Sequence, residues 1–559
     1  MASSSPVWFS IPEWYGIQQQ KDGRLLPIGT ASDARNMETG DGNLSVARGY
    51  TKHIESIVPG SGRILKLVTS RSTGGNTYVV TEDHIYSWHN DAWGSIYTFS
   101  PALTTTQVDA LQTRIGTTDV ILVCTGGSQI VKIDTANNTA AAFGAGLTSY
   151  TGTVSSYDAN SLTITLGSAM NSEAMRRALA YGVTYGTDEV YADVYDVPDS
   201  THIQLTAALL VPPAGGDPVT IRGGGSEAHV AYAELYANRL FTAGDPSATF
   251  RLYWSAVPGD GRTIEDWLSV DGSEDASGGY VEVGDGSADP IIGLTALSNQ
   301  LLIWKRYSVW RLFGDRPSTF TLERVDKESD LMSNSGVLVK YDAPYLLMPN
   351  GIYTYNGVSV VPVDNGVQQL RKFFEMNPDV SNSRCAFWNN RFYFSCKLHA
   401  GESTYDDTVI VFDVARNSYM LRDGFQVADI SSVGSDIFMI NGERYVYRFE
   451  HGDTYDEQPI QAYWQTQPMD FGKKMNKHQV MAVYMQLFGG DSGMNMKVYG
   501  DYIDYENPVA VAGVHTGYTV ARVRTDQSYI FGFRFENIDG EWFSVMGGVN
   551  IKVLSELKE

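Results

Sequence analysis

"ALSNQLLIWKRYSVWRLFGD", residues 296–315, consists of two apolar runs joined by a short polar link. Read as a hairpin, 301–305 and 309–313 are its strands and 306–308 its connection, which places Trp304 and Trp310 near one another. Both faces of both strands carry large apolar groups. A strand lying half in water alternates apolar and polar residues, whereas one that is apolar on both sides is sandwiched between two other layers. The stretch therefore asks what this chain stacks its sheets against.

The same signature recurs. "TYVVTEDHIYSW" (77–88), "DVILVCTGGSQIVKID" (119–134) and "RLFTAG" with "FRLYWSA" (239–256) precede the 296–315 hairpin. "YLLMPNGIYTYNGVSVVPV" (345–363), "NRFYFSCK" with "DTVIVFDVARNSYMLRD" (390–423) and "DIFMINGERYVYRF" (436–449) follow it. Asn350-Gly351, Asn356-Gly357 and Asn441-Gly442 are turn dipeptides of the hairpin kind. Between 59 and 456, leaving aside 149–227, about 320 residues remain, which suits seven to eight four-stranded blades of about 40–45 residues each. The expected fold is mainly β: a seven- or eight-bladed degenerate β-propeller, in which each blade is covered on both faces by its neighbours. No WD or kelch signature marks the repeats, so an array of β-sandwiches or a sheet-rich multidomain chain stays open.

Other segments break the rhythm. Residues 149–227 contain "GTVSSY" and "SLTITLG", a predicted helix over 169–183 capped by Asn171 or Ser172 with Met175 and Leu179 on one face, and a return through "PVTIRGGG". This reads as an inserted small α+β domain. The span 457–559 alternates well enough for a separate C-terminal β-sandwich. Residues 1–58 form an N-terminal segment whose "DARNMETGDGNLSVARGY" (33–50) reads as strand, Gly40-Asp41-Gly42 turn, strand, a hairpin expected to close the ring on the last blade. The propeller then occupies 59–148 and 228–456. A second helix is expected at 364–376, where Val367, Leu370 and Phe374 fall at helical spacing.

Composition narrows function. The chain has 559 residues, with 64 Asp and Glu against 41 Lys and Arg, a formal charge of −23. That disfavours a polyanion held by a broad basic surface, because phosphate binding needs cations. It permits a passage through which nucleic acid slides without sticking, and equally a charge that keeps a large particle soluble. Three cysteines, Cys124, Cys385 and Cys396, are no disulfide framework, although Cys385 and Cys396 could face one another across the Asn389-Asn390 turn. "MASSSPVWFS" has neither a basic region nor an apolar core of a signal peptide, and no stretch approaches 18 uninterrupted apolar residues, so no membrane span is expected.

Candidate chemistry is sparse. The loop 271–290 gathers Asp271, Glu274, Asp275, Asp285 and Asp289 among glycines, a set that could meet a hard cation but lacks the spacing of a 12-residue calcium loop. It reads instead as an acidic interface or channel loop. His53, His84 and His89 are too scattered for a metal site. No repeated sialidase box, nucleophile elbow, phosphate-binding loop or H-E-x-x-H is present, so no catalytic residue, cofactor or metal ligand is assigned.

Together "DARNMETGDGNLSVARGY", 291–315, "LMPNGIYTYNG" (347–357), "NRFYFSC" (390–396) and "QTQPMDFG…KVYGDY" (465–502) resemble the tail nozzle or tail-tubular virion proteins of tailed bacteriophages. Asp33, Arg35, Asn36, Gly42, Arg48, Trp304, Trp310 and Gly314 carry that resemblance as fold signatures. It implies a structural protein that forms a ring, on the family's precedent of about six copies, since a heterologous contact closes only in a ring. The ring would dock below portal and adaptor, meet fibre or spike proteins, and conduct DNA without sequence-specific binding. It further implies assembly in the host bacterial cytoplasm and residence in the virion tail. The segment 149–227 matches no part of that pattern. Two other functions stay open: a virion-associated polysaccharide-binding or polysaccharide-degrading propeller, and a scaffold propeller outside any virus.

Overall fold

In the computed structural model the 296–315 stretch lies within four consecutive antiparallel strands, Ile291–Leu297, Gln300–Lys305, Val309–Phe313 and Thr321–Asp326. The structure describes residues 6–19, 26–71, 76–143, 150–171, 175, 182–221, 229–259, 262–267, 274–284, 286, 288–326, 330–364, 369–399, 404–472, 475–489, 493–501 and 506–556. Every residue of Gln300–Lys305 is buried. Leu301, Ile303 and Leu312 share one core with Phe241, Leu252 and Val283 of the preceding sheet, so a neighbouring sheet covers one face of the hairpin. Leu302 and Trp304 are equally buried on the other face, where the Trp304 indole N–H donates to Thr295 Oγ1 at 2.8 Å. The expected proximity of the two tryptophans is overturned. Trp304 lies opposite Val309 and Trp310 opposite Ile303, so the two-residue period of a strand sends the rings to opposite faces. Trp310 is only half-buried.

This sheet belongs to a unit of Val58–Leu346 and Thr354–Val360. Three further four-stranded sheets, spanning 64–98, 109–142 and 232–282, run through their strands in chain order. Successive sheets are joined by shared cores: Tyr78 and Ile85 with Ile121 and Val131, then Val120 and Leu122 with Leu240 and Tyr253, then the core around Ile303. Their first strands are also neighbours, Ile64–Thr69 beside Asp109–Ile115, which lies beside Tyr232–Tyr236, which lies beside Ile291–Leu297. Ala237-Asn238 is a two-residue turn with both residues left-handed, the geometry whose twist matches that of paired strands.

Residues 150–221 form a seven-stranded sheet with its own core of Val154, Ile164, Val183, Ile203 and Val219. Phe143 before it and Val230 after it lie in the same core, so the chain leaves and re-enters the series of four-stranded sheets at one place. Arg251 ties the two parts together through a bidentate pair to Asp193, at 2.8 and 2.9 Å, while its guanidinium lies 4.1 Å from the Tyr280 ring centroid. Most of the predicted 169–183 helix, including Ser172 and Leu179, lies outside the described residues; Met175 is helical and its N–H donates to the Asn171 carbonyl at 3.1 Å.

The other unit comprises Met1–Ile57, Leu347–Tyr353 and Val361–Glu559. Cys385–Trp388, Arg391–Cys396, Asp406–Asp413 and Ser418–Val427 form a four-stranded sheet. Cys385 lies opposite Phe394, which leaves Cys396 two residues further along, so the cysteines are not paired across the turn; all three are free thiols. Asp429–Val433, Asp436–Ile440 and Val446–Phe449 follow, Tyr50–Ile54 adds the fourth strand, and Thr454–Tyr455 and Gln458–Pro459 extend the sheet to six. The expected closing hairpin is therefore corrected. Met37–Gly40 and Asn43–Val46 turn through Asp41-Gly42, both left-handed, and join the C-terminal strand Ser544–Glu556. Only the next strand reaches Val446–Phe449.

Two larger sheets complete this unit. One orders Met37–Gly40, Asn43–Val46, Ser544–Glu556, Lys477–Phe488 and Gly517–Arg522, with Pro6–Ile11 paired to Ser544–Glu556. The other orders Ala31–Arg35, Tyr463–Thr466, Gly532–Asn537, Met494–Tyr499 and Ala510–Val514. Edge-to-face contacts of Trp14 with Trp464 and Phe535, at 5.9 and 5.6 Å, tie the N-terminal chain to the second of these sheets. A further four-stranded sheet consists of Val337–Lys340, Ala343–Met348, Gly351–Tyr355 and Val360–Pro362, with Pro349-Asn350 rather than Asn350-Gly351 at its tight turn. Of the predicted 364–376 helix only Arg371–Glu375 is helical, while Asp364, Gln369, Leu370 and Met376 are turn; Leu370 and Phe373 are buried, Phe374 is half-buried and Val367 lies outside the described residues.

One buried acid sets a pH dependence. Burial pushes the Asp406 carboxyl up to about 6, although Ser395 Oγ donates to it at 2.6 Å. A carboxyl whose folded value exceeds its unfolded value of about 4 binds more protons in the folded state, so stability falls as pH rises between about 4 and 6. Asp406→Asn is expected to flatten that fall and to raise stability above pH 6 by about 1–3 kcal/mol, read from urea unfolding at pH 4 and pH 7.5. Equal pH slopes in wild type and variant would refute the assignment.

Candidate functional site

Of the five acids of the 271–290 loop, Glu274, Asp275 and Asp289 are described. Asp271 and Asp285 lie outside the described residues. Glu274 is exposed, at the start of the short 3-10 turn Glu274–Ala276. Asp275 accepts from the Ser318 N–H at 3.1 Å and faces Arg316 at 3.8 Å. Asp289 is buried: Oδ1 accepts from the Tyr307 N–H at 2.8 Å and Oδ2 from Ser308 Oγ at 2.6 Å. It fixes the turn between Gln300–Lys305 and Val309–Phe313 and is no exposed interface or channel acid. Among the described residues no three His, Cys, Asp or Glu side chains are grouped to hold a metal ion.

Arg239 organises this region, and no motif in the sequence marks it. Its guanidinium donates to the carbonyls of Ser255 at 2.6 Å, Ser277 at 2.7 Å and Asp275. Burial lowers its pKa to about 10. Asp289→Ala leaves two donors of a buried turn without their acceptor and is expected to cost about 2–3 kcal/mol in unfolding free energy, with no change in assembly. Loss of assembly at unchanged stability would restore the interface reading of that loop.

Of the fold-signature residues, Asp33, Arg35 and Asn36 make a structural hub around Asp423. Asn36 takes a left-handed backbone and is buried. Its Nδ2 donates to the carbonyls of Asp423 at 3.1 Å and Gln461 at 2.8 Å; its Oδ1 accepts from the Asp423 N–H and the Tyr455 hydroxyl, both at 2.9 Å. Asp33 accepts from the Tyr463 hydroxyl at 2.7 Å, and Arg35 pairs with Asp423 at 3.2 Å. Arg48 pairs with Asp453 and lies over the Trp542 ring. Gly314 has φ +104°, and a Cβ there would meet the Thr319 carbonyl oxygen at 2.5 Å, so the close turn after Val309–Phe313 requires glycine. Trp304 and Trp310 are the hairpin residues already placed.

Beside this hub lies a buried ionic group. Arg391 pairs with Glu38 at 2.6 Å and with Asp413 at 3.3 Å, and Arg422 approaches Glu450 at 3.4 Å and Glu38 at 3.7 Å. Burial works to raise Glu38, but Arg391 and Arg422 overcome it and hold the carboxyl below its ordinary value. Burial dominates at Glu450, whose carboxyl is pushed up.

In the Val58–Leu346 unit an open basin of about 1060 Å³ lies among the turns between the first and second strands of three sheets. Arg114, Tyr236, Asn238, Asn299 and Asp315 supply its polar groups. Higher on the same first strands, Asp109 Oδ2 accepts from the Ala233 N–H at 3.2 Å. Burial raises Asp109, and burial together with Asp109 pushes Glu234 up to about 7. Both carboxyls are thereby shifted toward the protonated form. Cys124 lies directly opposite Asp109, and burial together with the Asp109 charge pushes its thiol well up, which keeps it a neutral core group rather than a nucleophile. Charged residues within the otherwise apolar strands "DALQTRI" and "YAELY" were the available signal.

No family model matches the chain, and no curated protein does. Solved structures similar to it include the computationally designed Ika8 protein, at 11% identity and a TM-score of 0.32, covering 70% of this chain and 98% of that one. BamB from Moraxella catarrhalis is similar at 10% identity and a TM-score of 0.31, covering 79% and 97%. Likeness of that degree assigns neither a blade number nor a function. Among the described residues no helix is long and apolar enough to cross a membrane.

Proposed function

We propose that this chain is a structural, ring-forming component of a bacteriophage tail, a nozzle below the portal and adaptor that retains DNA and then conducts it during ejection. In this reading the sheets at 64–98, 109–142, 232–282, 291–326, 337–362, 385–427 and 429–449 are the blades of a seven-bladed propeller. Residues 149–227 are an inserted domain, and the two larger sheets form a sandwich of N- and C-terminal strands. The observation that carries it is the pairing of Tyr50–Ile54 with Val446–Phe449, by which a strand from the beginning of the chain joins the last sheet of the series. Such a joint suits a circular array. Shared cores between successive sheets and the sequence resemblance to nozzle proteins support the same reading.

The electrostatics agree with a conduit. The chain as a whole carries a formal charge of −23, which suits a passage that does not grip phosphates. Electron-microscopic imaging and native mass spectrometry of the purified full chain are expected to show closed rings of about six copies. A monomer at every concentration, or an axial passage lined mainly by Lys and Arg, would overturn the proposal. Release of reducing sugars from host capsule, abolished by one Asp or Glu substitution, would instead establish the polysaccharide-degrading alternative.

A further inference from the structure

We infer that the outer face of the sheet containing Pro6–Ile11, Ser544–Glu556, Lys477–Phe488 and Gly517–Arg522 docks against the acidic exterior of a second copy of this chain. The inference rests on the ring-forming reading and names the surface that would make the ring.

The pairing register defines the face. Trp8 lies opposite Lys552, Ser10 opposite Asn550, Asn550 opposite Tyr484 and Tyr484 opposite Val520. One step along, Met546 lies opposite Gln486 and Gln486 opposite Tyr518, and Phe488 ends the row. Cross-strand partners share a face, so these side chains point the same way. The neighbours inward of them, Val483, Met485, Ile551 and Val553, are buried in the core. The outward set is exposed although apolar: Tyr518 is 89% exposed, Phe488 58%, Trp8 54%, Val520 40% and Met546 39%. Trp8 and Tyr484 pack with ring centroids 4.9 Å apart, which holds the indole on the sheet instead of letting it swing free.

Size and chemistry select the occupant. Four strands at about 4.8 Å spacing and some nine residues at about 3.3 Å rise give a face of roughly 600 Å². That approaches the ~800 Å² each partner contributes to a standard protein interface and stands at the upper end of the patch a monomer usually exposes. Val520 and Met546 are aliphatic and offer no flat platform to a sugar ring, whereas aromatic rings and methionine are what interface centres collect. On these four strands, between Ser544 and Lys552, the outward charges are Arg522 and Lys552, both cationic; Glu38, in the row of Ser544, is already held by Arg391 and Arg422. In a chain of net charge −23 the acidic excess therefore lies elsewhere, and a second copy presents the complementary surface. Because this face meets a different surface on the partner, the contact is heterologous and propagates head to tail, which a ring closes.

The test introduces repulsion without touching the core. Tyr518→Asp with Met546→Glu, both at exposed positions, is expected to convert rings into monomers in native mass spectrometry and size-exclusion chromatography with light scattering, with the melting temperature unchanged. Arg522→Glu with Lys552→Glu is expected to weaken assembly at least tenfold in the midpoint concentration, and raised salt to weaken the wild-type ring in the same direction. Persistent rings in both double variants would overturn this inference while leaving the ring reading standing. A wild-type chain that stays monomeric would overturn the ring reading and the inference with it. Persistent rings whose variants lose binding to host-surface polysaccharide would assign the face to a glycan and overturn the inference.

Discussion

Trp304→Ala is expected to lower the unfolding free energy by about 3–5 kcal/mol, the cost of removing a large ring from a packed interior together with the cavity it leaves. The side chain is fully buried, on a strand buried at every position, and its indole N–H is satisfied by Thr295 Oγ1. Truncation also strands that hydroxyl. Trp310→Ala should cost much less, about 1–2 kcal/mol, since its ring is half-buried and its N–H reaches Ser308 near the turn. Urea unfolding followed by circular dichroism measures both. Equal effects at the two positions would mean that the opposite-face register is wrong.

The second large effect is expected at Arg422→Ala, about 3–5 kcal/mol, because removing one member of a buried ionic group leaves its partner charged and unsolvated. Arg422 is fully buried, its Nη1 donates to the Met37 carbonyl at 2.9 Å, and Glu450 beside it is nearly inaccessible. Burial already pushes the Glu450 carboxyl up, and Arg422 is the leading group that opposes this. In the variant the folded value rises further above the unfolded one, so protonation favours the folded state and the deficit relative to wild type narrows as pH falls. Arg422→Met with Glu450→Gln should recover most of the loss, since no uncompensated charge remains. A deficit independent of pH would show that Arg422 acts through packing alone.

Several features of this chain could be read in one dimension. Strands at 301–305, 309–313 and 391–396 are written in runs of large apolar residues, and turns such as Asp41-Gly42 and Asn389-Asn390 in residues that tolerate a left-handed backbone. These are local properties: two-residue alternation and backbone freedom depend on few neighbours. The acidic loop shows where local reading stops. Asp289 sits among glycines and acids like its neighbours, yet two donors from a turn 18 and 19 residues away bury it, while Glu274 remains in water.

By itself the sequence determined a mainly β chain of many short antiparallel strands, the apolar stretches among them and the acidic balance of the whole. Only the tertiary structure decided that Asn36 is a hub and that Met37–Val46 joins the C-terminal strands while Tyr50–Ile54 joins Val446–Phe449. The physical reason is separation along the chain. Pairing partners some 400 residues apart compete on shape, register and buried hydrogen bonds, and none of these quantities exists until both strands are in place. The exposed face around Tyr518 belongs to the same class, because its alternation looks ordinary in each strand and becomes a surface only when four strands align it.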